Sequence, residues 1–358
     1  MGENELRDLI SIQAKWSIPQ LQENLAMAVE GSGPALSTEE LKVRHVPSEI
    51  ALVVATSGST GKPKSVAIAS KALIASVNAS HKYLGATPGD TWSLLLPTNH
   101  IAGLNVLIRA TALGSRVIDN RNQDKYVDAD FVSIVPTQLH KALTVDPALL
   151  EHLTAAEAVL VGGGPLSESL KKEANSKHVK VITTYGMTEM CGGCVYNQKP
   201  LDGVEVKISN EGLIQLTGPM ISSGYLSEDG KIEKEFESGW FKSRDIGELN
   251  AGLLKILGRS DEVIISGGEK ISLVEVEDSI RKVLPNVEVI AFGLPDDKWG
   301  EKLCIASTLK INQDELKLKL GNLATPKEMF VFERIPKTTM EKPDRRAAIE
   351  LASKMSIK

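Results

Sequence analysis

Cysteine, basic excess and long apolar runs are all scarce in this chain, and each scarcity closes a class of function. Three cysteines in 358 residues cannot build a disulfide framework, so a reducing compartment is expected. Lys plus Arg number 41 against 46 Asp plus Glu, a net charge of −5. Nucleic-acid binding wants a basic face, so no nucleic-acid partner is expected. No run approaches the roughly 18 apolar residues that a membrane helix needs. The acidic start Met1-Gly2-Glu3-Asn4-Glu5 leads into no apolar segment, and Leu6 stands where a myristoylation signal wants Ser or Thr. The expectation is no membrane span, no export signal and a cytoplasmic location. There is no repeat and no low-complexity tract.

What is present is ordinary globular composition, 42% hydrophobic and 24% charged, at a length that suits two domains. Residues 31–39 read as a loop. Ile50–Ala55 and Val66–Ala69 read as strands around a Ser/Thr/Gly loop, and residues 70–84 carry apolar positions at helical spacing. Strands then alternate with helices: strands at Trp92–Leu96, Arg116–Ile118, Phe131–Val135, Ala158–Val161 and Val179–Thr183, helices at Ile101–Leu113, after Pro136, and at Pro165–Ser176. Such alternation predicts βαβ units and a largely parallel sheet. From about residue 203, short strands with Gly turns suggest an antiparallel β subdomain. From about 261 a smaller segment follows: a strand, a helix over 272–283, a strand over 287–292, a helix over 313–320 and a strand over 328–333. The predicted class is α/β, with domains 1–258 and 259–358.

The strongest local signal is Thr56-Ser57-Gly58-Ser59-Thr60-Gly61-Lys62-Pro63-Lys64. Glycines and small hydroxyls let backbone N–H groups close around phosphate oxygens, and lysine adds a point charge. A polar turn between strands is the plainer alternative. It is not a Walker A loop, because Thr56 replaces the first glycine and Pro63 follows the lysine. Val161-Gly162-Gly163-Gly164-Pro165 follows a strand, and Thr184-Tyr185-Gly186-Met187-Thr188-Glu189 lies further on.

These segments, in this order, resemble the adenylate-forming superfamily of acyl- and aryl-CoA synthetases, luciferases and peptide-synthetase adenylation domains. The resemblance covers roughly residue 50 to the end. It implies a large ATP- and acyl-binding domain and a small mobile α+β domain that turns about Asp261. It implies ATP contacts from Thr56, Ser57, Gly58, Ser59, Thr60, Gly61 and Lys64, from Gly162, Gly163 and Gly164, and from Thr184, Tyr185, Gly186, Met187 and Thr188. Thr188 and Glu189 would lie by Mg²⁺. Ser243-Arg244-Asp245-Ile246-Gly247 and Leu257-Gly258-Arg259-Ser260-Asp261 resemble two further motifs, with Asp245 on the ribose hydroxyls and Arg259 on the ribose or phosphate side. Pro336-Lys337-Thr338-Thr339-Met340-Glu341-Lys342 resembles the segment carrying the mobile catalytic lysine, which places Lys342 in that role. Two anions must meet when a carboxylate attacks the α-phosphorus, and an ammonium group offsets them. Three positions depart from the pattern: Glu341 and Ser65 for glycine, and Ile265 for a lysine used in thioester formation.

Pro97–Arg109, with His100 at a loop–helix junction, the Met190–Tyr196 continuation and the Lys342-Pro343-Asp344-Arg345 ending resemble the compact o-succinylbenzoate–CoA ligases of menaquinone biosynthesis. That resemblance implies ATP, Mg²⁺ and CoA as cofactors and cosubstrates, and a small-molecule carboxylate as partner. His100 (catalytic and substrate), Arg109, Gly186 and Gly192 are then the substrate candidates. His100 is alternatively a satisfied polar group, and Arg109 faces either the site or solvent. A homodimer is left open. Cys191-Gly192-Gly193-Cys194 reads as zinc half-site, redox pair or small residues lining a pocket. The rival functions are another acyl- or aryl-CoA ligase, a stand-alone adenylation enzyme, and a nucleotide-binding regulator on a retired scaffold.

Overall fold

The computed structural model describes residues 5–56, 64–123, 125–234, 236, 238–284, 287–313, 316–317, 325–337 and 344–356. Two compact units form. One comprises Met1–Lys207, Gln215–Ser243 and Leu249–Leu254, the other Ile208–Ile214, Arg244–Glu248 and Lys255–Lys358.

The first unit opens with β1 (Leu6–Ser11) and α1 (Ile18–Glu30). Helix α1 starts where it does because Ser17 and Gln20 form a reciprocal capping box, with the Ser17 N–H on Gln20 Oε1 at 2.9 Å, and Pro19 in the first turn. β2 (Ala35–Ser37) runs parallel to both β1 and β4 (Ile50–Thr56), and β3 (His45–Pro47) flanks β1. The expected loop over 31–39 therefore contains a strand. Three residues are too few to show a period, yet Ala35 and Leu36 are fully buried. β5 (Lys64–Ala69) returns antiparallel to β4 and feeds α2 (Ser70–Leu84).

A second sheet is the expected parallel one. β6 (Trp92–Leu94), β7 (Ile118–Asp119), β8 (Phe131–Ile134), β9 (Ala158–Val161) and β10 (Val181–Met187) pair in parallel in the order β7-β6-β8-β9-β10. Helices α3 (Ile101–Ala112), α4 (Pro136–Thr144), α5 (Pro147–Ala155) and α6 (Glu168–Ser176) connect them. Helix α6 begins three residues later than expected, because Ser167 accepts the Leu170 N–H at 3.2 Å as N-cap. β11 (Gly192–Tyr196) and β12 (Lys199–Pro200) add on antiparallel. Val132, Ile134, Leu139, Leu153 and Val159 are buried together on one face of this sheet. Each contributes about 1.5–3 kcal/mol by leaving water.

A four-stranded sheet follows the order β13 (Glu205–Ile208), β14 (Leu213–Thr217), β17 (Phe241–Asn250), β18 (Leu253–Arg259). Not all of the region after 203 joins it. β15 (Gly224–Leu226) pairs antiparallel with β5 in the first sheet, and β16 (Ile232–Glu233) extends that edge.

In the second unit, β19 (Val263–Ser266) and β20 (Glu269–Ser272) form a hairpin before α7 (Leu273–Val283). β21 (Val289–Asp296), β22 (Gly300–Ser307) and β23 (Glu328–Val331) complete its sheet. The last helix, α8 (Arg345–Ser356), buries Ala348 and Ala352 against Phe292, Phe330 and Phe332. The helix expected over 313–320 lies mostly outside the described residues.

Candidate active site

Strands β4 and β5 form the stem of the glycine-hydroxyl loop. Thr56 pairs in register with Lys64, and Thr56 Oγ1 donates to the Lys64 carbonyl at 3.2 Å. Ser57, Gly58, Ser59, Thr60 and Gly61 lie outside the described residues. Ser65, which replaces the expected glycine, has a local reason to be polar: its hydroxyl donates to Glu39 Oε1 at 2.8 Å.

Glu189 is held from two sides. Tyr225 OH donates to its Oε1 at 2.8 Å, and its main-chain carbonyl accepts the Ser222 N–H at 2.8 Å. Lys64 Nζ lies 4.3 Å from the centroid of the same Tyr225 ring. Lysine, tyrosine and glutamate thus meet at the loop stem because β15 pairs with β5, setting Tyr225 opposite Val66. Nothing local in the sequence marks Tyr225, since the pairing that brings it there is non-local.

The glycine-rich segments are tight for a backbone reason. A Cβ on Gly162 would collide with Thr184 Oγ1, and one on Gly186 with the Gly192 carbonyl. Thr184 lies beside Gly162 because β9 and β10 pair in parallel, with Thr183 opposite Val161. The β10–β11 register shifts between Tyr185 and Gly186, then pairs Gly186 with Gly193 and Met187 with Gly192. This bulge turns the chain into the short 3₁₀ turn Thr188–Met190 that carries Glu189. Gly163 and Gly164 are exposed at the strand end.

Cys191 takes φ 55° and Gly192 φ 96°, so the turn leaves in a left-handed conformation. Asn105 Nδ2 fixes it, donating to the Cys191 carbonyl at 2.7 Å. Cys191 and Cys194 are free and fully buried. Burial, reinforced by Cys194, raises the Cys191 thiol, and burial pushes Cys194 up to about 12. Thiols held so firmly protonated are poor metal ligands and poor nucleophiles. They line the back of the glycine turn. Cys304, also free and buried, is pushed up to about 12, chiefly by burial.

His100 caps the start of α3 with its backbone, its side chain exposed and making no cap bond. Arg109 points inward. It is 4% exposed, donates from Nη2 to Tyr196 OH at 3.0 Å, and lies over Trp92 at 5.0 Å. Ser80 Oγ shares Tyr196 OH at 3.0 Å. Next to this cluster, His81 is lowered to about 4, first by burial and then by the Arg109 charge.

In the second unit, Arg259 Nη1 stands 3.6 Å from Asp245 Oδ1, and Arg259 Nε 4.0 Å from Asp261 Oδ1. The Ser260 N–H donates to the Arg244 carbonyl at 2.7 Å, which holds the two motif segments together. The Asp261 side chain is 83% exposed. Lys342 and Glu341 lie outside the described residues. Ile265 is exposed on the β19–β20 hairpin.

Lys64, Tyr225 and Glu189 come together at the β4–β5 stem, and the glycine-rich ends of β9 and β10 pair in register. The chain belongs to the AMP-binding enzyme family, whose pattern matches residues 4–226. It is 35% identical over 330 residues to a probable 2-succinylbenzoate–CoA ligase of Mycobacterium tuberculosis, spanning 85% of each chain. It is 32% identical over 334 residues to the 2-succinylbenzoate–CoA ligase of Listeria monocytogenes, spanning 86% of this chain and 71% of that one. Among solved structures, o-succinylbenzoate CoA synthetase from Bacillus subtilis with its acyl-adenylate intermediate superposes with TM-score 0.69 at 27% identity, covering 95% of this chain and 82% of that one. The same enzyme with ATP and a magnesium ion gives 0.68 at 27% identity, covering 94% and 83%.

Proposed function

We propose that this protein is a 2-succinylbenzoate–CoA ligase. It adenylates the succinyl carboxylate with ATP and then forms the CoA thioester, a step of menaquinone biosynthesis. The observation that carries the reading is the 35% identity sustained over 85% of both chains. It fits the site, where Glu189 is oriented by Tyr225 beside Lys64.

In the first half-reaction a carboxylate oxygen bonds to the α-phosphorus and the bond to pyrophosphate breaks. Thr56, Ser57, Gly58, Ser59, Thr60, Gly61 and Lys64 would bind the phosphates, and Gly162, Gly163, Gly164, Tyr185 and Met187 the adenine side. Asp245 would accept the ribose hydroxyls, with Arg259 held against it. Glu189 and Thr188 suit magnesium: one carboxylate, a hydroxyl and substrate phosphates make the usual set for that ion. Magnesium supplies charge neutralisation at the phosphate oxygens when bound. Lys342 would place its ammonium where the two anions converge.

In the second half-reaction the CoA sulfur bonds to the acyl carbon, the thiol proton is lost, and AMP leaves. A turn about Asp261 would withdraw Lys342 first, and the exposure of that side chain suits a pivot. The 1–258 and 259–358 division is part of this proposal. Gly186, Gly192, His100 and Arg109 would surround the acid. The Arg109 guanidinium is held by Tyr196 OH and the Trp92 ring and is 4% exposed, so meeting the second, aromatic carboxylate would require that packing to open. A cytoplasmic location belongs to the same reading and is supported by the three unpaired thiols.

The test is pyrophosphate release by the purified protein with ATP, Mg²⁺ and a panel of aryl and alkyl acids, followed by thioester detection after CoA is added. Preference for o-succinylbenzoate is expected. Release with a different acid alone overturns the substrate, and release with none overturns the activity.

A further inference from the structure

Arg345 stands three residues beyond Lys342, at the first position of α8. Just before it, the Asp344 N–H donates to the Pro336 carbonyl at 2.8 Å, so the chain entering segment 337–343 and the chain leaving it are joined at the base. Asp344 Oδ1 then accepts the Ala347 N–H at 3.1 Å.

The Arg345 guanidinium turns away from solvent, with a side chain 16% exposed. Nη2 donates to Glu277 Oε1 at 3.0 Å, and Nη1 lies 3.7 Å from Glu262 Oε1. Glu277, on α7, is 4% exposed. Its Oε1 also accepts the Ala291 N–H at 2.9 Å, and its Oε2 faces Arg281 Nη2 at 3.3 Å. Glu262 directly follows Asp261. Its Oε2 accepts the Arg259 N–H at 3.4 Å.

One forked side chain therefore ties three things together: the helix after Lys342, helix α7, and the turn after Asp261. Burying such a carboxylate carries a desolvation penalty that a packed apolar face would not. Helix α8 already has an apolar face in Ala348, Ala352 and Ile349. The fork adds register, because a planar guanidinium engages two carboxylates in one orientation.

We propose that Arg345 is a positioning residue for adenylation. It fixes the base of the segment carrying Lys342 against the turn at Asp261. This rests on the ligase reading above.

The test compares Arg345→Lys, Glu262→Gln and Arg281→Gln in two single-turnover assays: pyrophosphate release from ATP and acid, and thioester formation from preformed acyl-adenylate and CoA. Arg345→Lys keeps the charge and loses the fork. Its adenylation is expected to fall by about tenfold or more, on the scale of a small misplacement of a catalytic group. Its KM for ATP, its melting temperature and the thioester step should stay near the parent's. Glu262→Gln should slow adenylation in the same direction by a smaller factor. Arg281→Gln removes a contact to the same Glu277 carboxylate but none to the tail, and should leave both steps unchanged.

Arg345→Lys with normal adenylation overturns the inference, as does equal slowing of both steps or a matching loss in Arg281→Gln. Should Arg345→Lys fail to fold, Glu262→Gln decides alone: selective slowing of adenylation supports the inference, and an unchanged rate overturns it. If o-succinylbenzoate proves not to be the acid, the same comparison with the acid that is used tests Arg345 separately from the substrate.

Discussion

Replacing Tyr225 by Phe deletes one oxygen, and with it the bond to Glu189, and leaves the ring on which Lys64 rests. That bond is 2.8 Å long, and Glu189 is half-buried. Hydrogen bonds to a charged group contribute about 1.5–3 kcal/mol when shielded. Partial exposure of Glu189 discounts this to about 1–1.5 kcal/mol, or roughly five- to twelvefold in an equilibrium constant. The bond orients the carboxylate that would face magnesium, so its loss should be read in the metal dependence of adenylation. The assay is the initial rate of pyrophosphate release against total Mg²⁺ at fixed ATP and acid. The half-saturating Mg²⁺ concentration should rise by about that factor, while KM for the acid stays put. Tyr225→Leu should add a further loss of about 0.5–1 kcal/mol from the vacated cation–π contact. A Tyr225→Phe curve that superimposes on the parent's, or that falls equally at every Mg²⁺ concentration, would refute the role given to Glu189.

Three further outcomes follow from the same structure. Lys342→Ala should slow adenylation by roughly 100-fold or more while ATP binding, followed by calorimetry, is retained. Gly186→Ala drives a methyl into the Gly192 carbonyl and should cost about 3 kcal/mol or more of unfolding free energy in urea. His81 is lowered from 6.5 to about 4, so the unfolded chain binds the extra proton between those values. Stability is whole above about pH 6.5 and drains as pH falls through that window, by about 3 kcal/mol at pH 4. His81→Gln should flatten that part of the pH profile of urea unfolding.

The alternation of strand and helix from Trp92 to Met187 was open to inspection because apolar strands such as Phe131–Ile134 and Ala158–Val161 are set off by helices of nine residues or more, which also frame the short β6 and β7. The motifs around Gly162 and Tyr185 were legible too, since their small residues answer to backbone contacts within a few positions in register. Ala35–Ser37 escaped because a three-residue strand carries no period, and its burial comes from β1 and β4 on either side. Tyr225 escaped because its partner Glu189 is 36 residues away and the contacts that join them, the β5–β15 pairing and the Ser222–Glu189 backbone bond, are non-local. The direction of Arg109 was undecidable on helical rise alone. Tyr196 and Trp92, from two other strands, draw it inward.

All three native cysteine thiols are buried, with Cys194 and Cys304 pushed up to about 12. At neutral pH they offer almost no thiolate to a maleimide dye. A pair of surface positions such as Lys172 and Lys282, one in each compact unit, can therefore be changed to cysteine and labelled in the otherwise wild-type background. Fluorescence energy transfer between them would follow any relative movement of the two units through a catalytic cycle, with no need to strip the parent protein of its own sulfhydryls first.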